Sequence, residues 1–406
     1  CIEVKMKLLK PLSMLGLVAI PCALMLTGCG VSTTYVSPTV TVDQITTSNI
    51  EEAINSAVLS VVSVYVEGNV SSGINGMAAT SYSAGSGVIY SLDKDAGDAY
   101  IITNYHVVYD ENYTTSNGIA SKIVVELYGS EETYIQTDMF GNGSFVYGSQ
   151  VIECEYVGGS LEYDLAVLKV TDSEILRNSA AKQVEICAEP AHLGQTTIAI
   201  GNPLGYGISA TTGIVSVESE YIQYSDFYDV IIRCIRTDAP INSGNSGGGL
   251  FDEKGRLLGI VNAGNDSAEN MGDAIPVALV TNVVDNILYQ HETYGSQKLS
   301  VYNFGAEVDG SNSTAVYDEE VGLTFIKEDI VVTAVSGDAA QNLQVGDKIV
   351  SVSLNGTDIE FSRAFEFEEF LLDVPPGAQF NITVVRRGGL FTLTITASNR
   401  RFSPLH

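Results

Sequence analysis

The chain has no tryptophan, only four histidines, and 20 basic side chains against 49 acidic ones in 406 residues, a net charge of −29. Each shortage removes a class of function. So acidic a surface repels polyanions, which excludes nucleic acid as a partner. The six cysteines are scattered, with no CxxC pair and no Cys/His cluster, so the sequence spells out no metal site and calls for no cofactor. The apolar run at residues 12–26 is short for a membrane span and is interrupted by Pro21.

What remains is rich in glycine and tyrosine, and hydrophobic residues make up 45%, enough to fill complete cores. The length exceeds one ordinary domain and predicts two or three. Lys5, Lys7 and Lys10 precede the apolar run, which reads as a signal peptide. It ends in Leu26-Thr27-Gly28-Cys29, a tetrapeptide that resembles the lipobox of bacterial lipoproteins. That resemblance implies removal of residues 1–28, a lipid on Cys29 and a place on the outer face of the cell membrane. An uncleaved signal anchor, or a signal peptide with an incidental cysteine, is the plainer reading. Residues 29–49, rich in Ser, Thr and Val, read as a flexible tether.

Beyond the tether come short alternating segments such as SGVIY, AYIITNYHVV, KIVVELY, VIECEYV and DLAVLKV. A second set follows: TTIAIGNP, TTGIVSVES, DVIIRCIRTD and RLLGIVN. Turn-formers separate them, and two β units of similar size fit a pair of antiparallel barrels. The stretch 129–150 reads as an insertion and 68–83 as a long loop. Residues 276–290 show helical spacing behind Pro276, which closes the β region. From residue 299 the composition shifts to a compact α+β module with one amphipathic helix at 363–372.

Three residues carry candidate chemistry. His106, in TNYHVV, is the one histidine placed at the end of a core strand. Asp164 opens the apolar run DLAVLKV, where a carboxylate must be paired or hydrogen-bonded. Ser246 sits in GNSGG, whose glycines permit positive φ and close backbone approach. Taken singly, each fits a structural role. Taken together they form a set: a serine hydroxyl needs a base, and the base needs a partner that fixes its tautomer. The order His, Asp, Ser along two barrel-like halves matches chymotrypsin-type enzymes.

With AGSGVIY (84–90), TNYHVV (103–108), YDLAVLKV (163–170), GQTTIAIGNPLG (194–205), RTDAPINSGNSGGGLFDEKGRLLGI (236–260) and AIPVALV (274–280) in this order, the chain resembles the HtrA/DegP family of extracytoplasmic serine proteases. The implied fold is mostly β: a chymotrypsin-like double β-barrel over residues 50–295, followed by an α+β PDZ domain over residues 299–400. By position, His106, Asp164 and Ser246 match the family's catalytic triad, and Gly244, Asn245 and Ser246 its oxyanion loop. Asn245 is neutral where digestive relatives carry an Asp that pairs with a new N-terminal amine, so control by loop ordering is expected in place of zymogen cleavage. Ile241, Val261 and Ala263 are candidate linings of the primary specificity pocket. The position six residues before Ser246 is Pro240, which offers no charge, so cleavage after small or medium aliphatic residues is expected. Asp238 is nearby but reads as structural.

In the C-terminal module, SGDAAQNLQVGDKIVSVSLNG and PPGAQFNITVVRRGG resemble parts of a PDZ domain. The resemblance implies a groove that takes peptide C-termini by strand addition, with Phe304, Gly305 and Ala306 as the carboxylate-binding loop. VGLTF (321–325) is the alternative loop, and 317–328 reads as an extra hairpin. The implied function is a membrane-anchored endopeptidase that degrades unfolded or damaged proteins, assembled as a homotrimer or larger homo-oligomer. A non-catalytic peptide-binding scaffold, or a regulatory protease that cuts one signalling protein, are the alternatives. Cys154, Cys187 and Cys234 are odd in number and read as buried free thiols.

Overall fold

The computed structural model describes residues 49–406 apart from 72–77, 131, 138–142, 225–229, 265–269, 399 and 403–406. The signal segment, Cys29 and nearly all of the tether lie outside the described residues.

A short helix α1 (Asn49–Ala57) leads into the first β unit, with Ala53 and Ala57 buried. Its strands are β1 (Val61–Ser71), β2 (Ala78–Asp93), β3 (Asp98–Thr103), β4 (Lys122–Leu127), β7 (Ile152–Glu153), β8 (Glu155–Ser160) and β9 (Leu165–Val170), ordered β7-β4-β1-β2-β3-β9-β8. The two ends of this sheet, β7 and β8, are separated only by Cys154, whose N–H donates to Ile123 C=O at 3.0 Å. One residue spans about 3.8 Å between Cα atoms, so the sheet must curl until its ends meet. Alternation does the sorting. Ile101, Ala166 and Leu168 point into the barrel interior, while their neighbours Ile102, Leu165 and Val167 point to a core shared with the second unit. Each such fully buried Ile, Leu or Val contributes roughly 1.5–3 kcal/mol.

The segment 129–150 carries a separate hairpin, β5 (Tyr134–Thr137) with β6 (Gly143–Val146). Residues 68–83 are mostly not a loop: β1 and β2 continue as a paired ribbon to Ser71 and Ala78. The backbone ladder persists there although the small side chains offer no apolar alternation.

After the short helix α3 (Glu174–Asn178), the second unit closes as a six-stranded barrel. Its strands are β10 (Thr196–Gly201), β11 (Ser209–Tyr224), β12 (Val230–Thr237), β13 (Gly249–Phe251), β14 (Leu257–Gly264) and β15 (Gly272–Pro276). Helix α4 (Val277–Tyr294) follows, capped by Pro276 at its start and by Gly295 at φ 63° at its end. Val280, Val283, Val284 and Ile287 on one face of α4 seal the core between the barrels.

Beyond α4 lie β16 (Ser300–Tyr302), β17 (Ala306–Asp318), β18 (Leu323–Val335), β19 (Lys348–Leu354), β20 (Thr357–Glu360), helix α5 (Ala364–Asp373), β21 (Gln379–Arg386), β22 (Gly389–Thr396) and β23 (Arg400–Phe402). The sheet order is β17-β18-β19-β21-β22, with β20 beside β19. Strand β17 is an edge. Phe304, Phe367, Phe370 and Phe380 form the aromatic centre of this module. The extra hairpin expected at 317–328 is the outer part of the β17–β18 ribbon, and VGLTF lies at its tip. The module docks on the barrels through α5: Arg233 of β12 is buried against Glu369 and lies 4.1 Å from the Phe365 ring centroid. Arg401 makes two hydrogen bonds to Glu162, at 2.8 and 2.9 Å.

Candidate active site

Strand β3 delivers His106. Thr103 ends the strand with its hydroxyl on Ser86 C=O at 2.8 Å, and Asn104 starts the one-turn helix α2 (Tyr105–Val108). Tyr105, Val107 and Val108 are buried in the first barrel, which fixes the turn and leaves His106 at its rim. Tyr105 also stacks on Tyr109 at 4.8 Å.

Asp164 comes from the turn between β8 and β9 and has φ 49°. Asp is among the few non-glycine residues that accept this conformation. Asn104 Nδ2 donates to Asp164 C=O at 2.9 Å, tying the two turns together. The Asp164 carboxylate takes two hydrogen bonds from one residue: His106 backbone N–H reaches Oδ1 at 2.9 Å, and His106 Nδ1 lies 2.7 Å from Oδ2. The imidazole is thereby fixed in orientation, with Nδ1 carrying the proton toward a carboxylate that is 4% exposed.

Ser246 comes from the other barrel, on the loop that leads into β13. Its glycines have geometric work. Gly244 has φ 97°, and a Cβ there would lie 2.4 Å from Asn202 O. Gly247 has φ 84°, and its Cβ would meet Ser86 O at 2.1 Å. Only glycine lets the loop press this closely on both barrels. The loop therefore docks beside the β3–α2 junction: a Cβ on Gly85 would touch both Val107 and Ser246 O. Ser246 Oγ donates to Asn262 C=O at 2.8 Å. Ser243 C=O accepts from Leu204 N–H at 2.8 Å, and Gly244 C=O accepts from Ser86 Oγ at 2.7 Å. Among the described residues, neither Gly244 N–H nor Ser246 N–H is taken by a carbonyl. Asn245 is buried, and a Cβ on Gly201 would lie 2.8 Å from its Oδ1.

Around this loop the second barrel is apolar. Ala239, Val261 and Ala274 are buried, and Ile241 packs against them. Ile241 Cδ1 occupies the space 2.4 Å from where a Cβ on Gly272 would sit. The side chain of Ala263 lies outside the described residues. Asp238 is exposed, and its Oδ1 accepts Ile214 N–H at 2.7 Å. Below this region Asp273 pairs with Arg236 at 3.0 Å, and burial pushes the Asp273 carboxyl up against the opposing pull of Arg236.

In the C-terminal module, Phe304 is buried and Gly305 has φ 80°. Their carbonyls are held by Ala339 N–H at 3.1 Å and by the Ser336 hydroxyl at 3.1 Å respectively. Ala306 opens β17. Cys187 and Cys234 are buried as expected, whereas Cys154 is only half-buried, and burial pushes the Cys187 thiol up to about 11. Among the described residues no group of three or more His, Cys, Asp and Glu is arranged to hold a metal.

Ser86, Leu204 and Asn262 were not singled out from the sequence, yet all three contact the Gly244–Ser246 loop. Leu204 and Asn262 act through backbone atoms, which no residue type announces.

The trypsin-like peptidase domain family matches residues 85–260. Serine protease Do-like HtrB of Bacillus subtilis is 30% identical over 78% of this chain, and the chain spans 62% of that relative's length. Serine endoprotease DegS of Haemophilus influenzae is 30% identical over 77% of this chain and 76% of its own length. A solved structure titled HtrA-type protease AlgW with tripeptide superposes with a TM-score of 0.53 at 27% identity, covering 87% of this chain and 97% of that one. With a trypsin-like fold, this site and these relatives, the chain belongs to the HtrA family of serine proteases.

Proposed function

We propose that this chain is a serine endopeptidase that cuts unfolded or damaged proteins on the outer face of the cell membrane. The observation that carries the reading is the double grip of Asp164 on His106. Ser246 Oγ attacks the scissile carbonyl. As it does so its proton turns from Asn262 C=O to His106, which later hands it to the leaving amine. Asp164 holds the tautomer that leaves Nε2 free to accept, and stabilises the imidazolium that results. Gly244 N–H and Ser246 N–H receive the oxyanion, and one such donor is worth about 2.7–4 kcal/mol in hydrolases of this chemistry. Hydrolysis of fluorogenic casein by the wild type, lost in Ser246→Ala, is the expected result. Equal hydrolysis by both would refute the reading.

Apolar Ala239, Ile241 and Val261 support a pocket for aliphatic side chains, since an Arg there would be desolvated without a partner. Asp238 is engaged with the backbone of β11, which supports its structural reading. We assign the C-terminal module as a PDZ domain. Its edge strand β17, beside α5, offers an unpaired ladder for a peptide C-terminus, and Phe304, Gly305 and Ala306 stand at the start of that strand. The similar structure of HtrA-type protease AlgW holds a tripeptide, which supports a peptide ligand for this chain. Cys29 is the proposed lipid anchor. Cys29→Ser is expected to move the protein out of the membrane fraction or to leave an unprocessed precursor. A homotrimer or larger homo-oligomer is the proposed assembly, to be read by light scattering.

A further inference from the structure

The loop that would bind the oxyanion has little conformational preference of its own. Gly244 is free to adopt many backbone conformations, so the direction of its N–H is set by whatever holds the two peptides around it. The Ser243–Gly244 peptide is held by Leu204 N–H on Ser243 C=O. The Gly244–Asn245 peptide is held at its N–H by Asn242 C=O at 3.0 Å and at its carbonyl from the opposite barrel. Ser86 in β2 is fully buried, and its hydroxyl makes two hydrogen bonds at once. It donates to Gly244 C=O at 2.7 Å and accepts from Asn202 N–H at 2.8 Å. Asn202 begins the loop that contains Leu204. One hydroxyl thus touches both backbone segments that orient Gly244.

We infer that Ser86 is a positioning residue for the oxyanion site, linking the first barrel to the Gly244 peptide and to the Asn202–Leu204 segment. This rests on the proposed role of Ser246 as nucleophile. The hydroxyl is separable from the rest of the anchorage. Ser86 N–H donates to Ser246 C=O at 2.8 Å, and Ser86 C=O accepts the Thr103 hydroxyl at 2.8 Å. Both survive truncation of the side chain, as does Asn245 N–H on Asn242 C=O, so Ser86→Ala keeps the loop docked and removes only the hold on Gly244 C=O and Asn202 N–H. Turning the Gly244 N–H away removes one oxyanion donor, a loss of 100- to 1,000-fold in kcat when complete. Because a freed loop still visits the productive orientation part of the time, about 10- to 100-fold is expected for Ser86→Ala, with KM within about twofold.

The test compares wild type, Ser86→Ala, Ser86→Cys and Ser246→Ala in the full chain. Active sites are counted with a fluorophosphonate in the proteins that keep Ser246, and Ser246→Ala is quantified as folded protein, so that kcat refers to folded enzyme throughout. A tripeptide valine aldehyde, which forms a tetrahedral adduct, and the matching product acid, which does not, are the two ligands. Aldehyde affinity is expected to fall with kcat in Ser86→Ala while affinity for the acid holds, a split that loss of stability alone would not produce. Ser86→Cys, which keeps a weak donor of similar shape, is expected to lie between. Wild-type kcat and aldehyde affinity in Ser86→Ala, or in Ser86→Cys should Ser86→Ala not fold, would overturn the inference. If Ser246→Ala retains wild-type turnover, the nucleophile assignment itself fails. If Ser246→Ala is inactive and the Ser86 variants are unaffected, only the role of Ser86 fails.

Discussion

Replacing Asp164 by Asn tests the polar link between the two turns without changing shape. The two carboxylate oxygens have different partners: Oδ1 accepts the His106 backbone N–H, and Oδ2 faces His106 Nδ1. An amide has one oxygen. If it keeps the backbone N–H, its NH2 faces Nδ1 and can only donate, so Nδ1 must become an acceptor and Nε2 must carry the proton. The base toward Ser246 is then in the wrong tautomer. If the amide flips, its NH2 meets the backbone N–H, and a nearly buried donor loses its partner, at about 1–3 kcal/mol. The first arrangement therefore prevails. The same exchange in a trypsin-type site lowers kcat about ten-thousand-fold, equivalent to about 5.4 kcal/mol of barrier. Asn tolerates φ 49° as Asp does, so the backbone has no reason to move. The assay is kcat on a chromogenic tetrapeptide, with thermal unfolding measured alongside. A folded Asp164→Asn enzyme within tenfold of wild-type kcat would refute the tautomer argument.

Gly244→Ala places a Cβ 2.4 Å from Asn202 O at φ 97°, so the loop must shift and kcat is expected to fall 100- to 1,000-fold with KM little changed; wild-type turnover would count against the oxyanion assignment. Ile241→Ala clears the space above Gly272, and cleavage-site mass spectrometry on denatured casein is expected to show Leu and Phe at P1 gaining about tenfold over Val, whereas an unchanged distribution would displace Ile241 from the pocket. Burial pushes the Asp347 carboxyl up, but Arg386 and Gln344 N–H outweigh it and hold it below the usual carboxylate range. That stabilisation is present above the unfolded pKa of about 3.9 and is lost as pH falls through the lower folded value. Asp347→Asn is therefore expected to lose about 1.5–3 kcal/mol at pH 7 and much less at pH 2 in urea melts, and an equal loss at both would refute the linkage.

The two barrels were legible because their strands divide neighbours between two cores: Ile101 faces one and Ile102 the other, and both must be apolar. Where that pressure stops, so did the reading. The ribbon from Gly68 to Ser71 pairs with Ala78 to Ser81 along the backbone ladder, and its small residues read as loop. Tyr317 and Val321 lie exposed at the far end of the β17–β18 ribbon, where the hairpin expected at 317–328 is the outer part of two longer strands. Helix α1 buries Ala53 and Ala57 and half-buries Ile54 among polar residues, too faint a stripe to announce a helix. Arg233 and Glu369, which join barrel to α5, lie 136 residues apart and carry no pattern that pairs them.

The site divides along a chemical line. His106, Asp164 and Ser246 could be picked out because each brings a side chain with its own reactivity, and the glycines around Ser246 because only they reach φ 97° and 84°. The groups that orient them are of another kind. Leu204 contributes an N–H and Asn262 a C=O, atoms every residue but proline's N–H shares, so their identity carries no signal. Ser86 is the intermediate case. Its hydroxyl is specific, and it stood in view in AGSGVIY between two glycines in a strand with buried neighbours. A buried hydroxyl must find partners. Its partners lie in the other barrel, in Gly244 and Asn202, so the demand was readable in the strand while the answer required the fold.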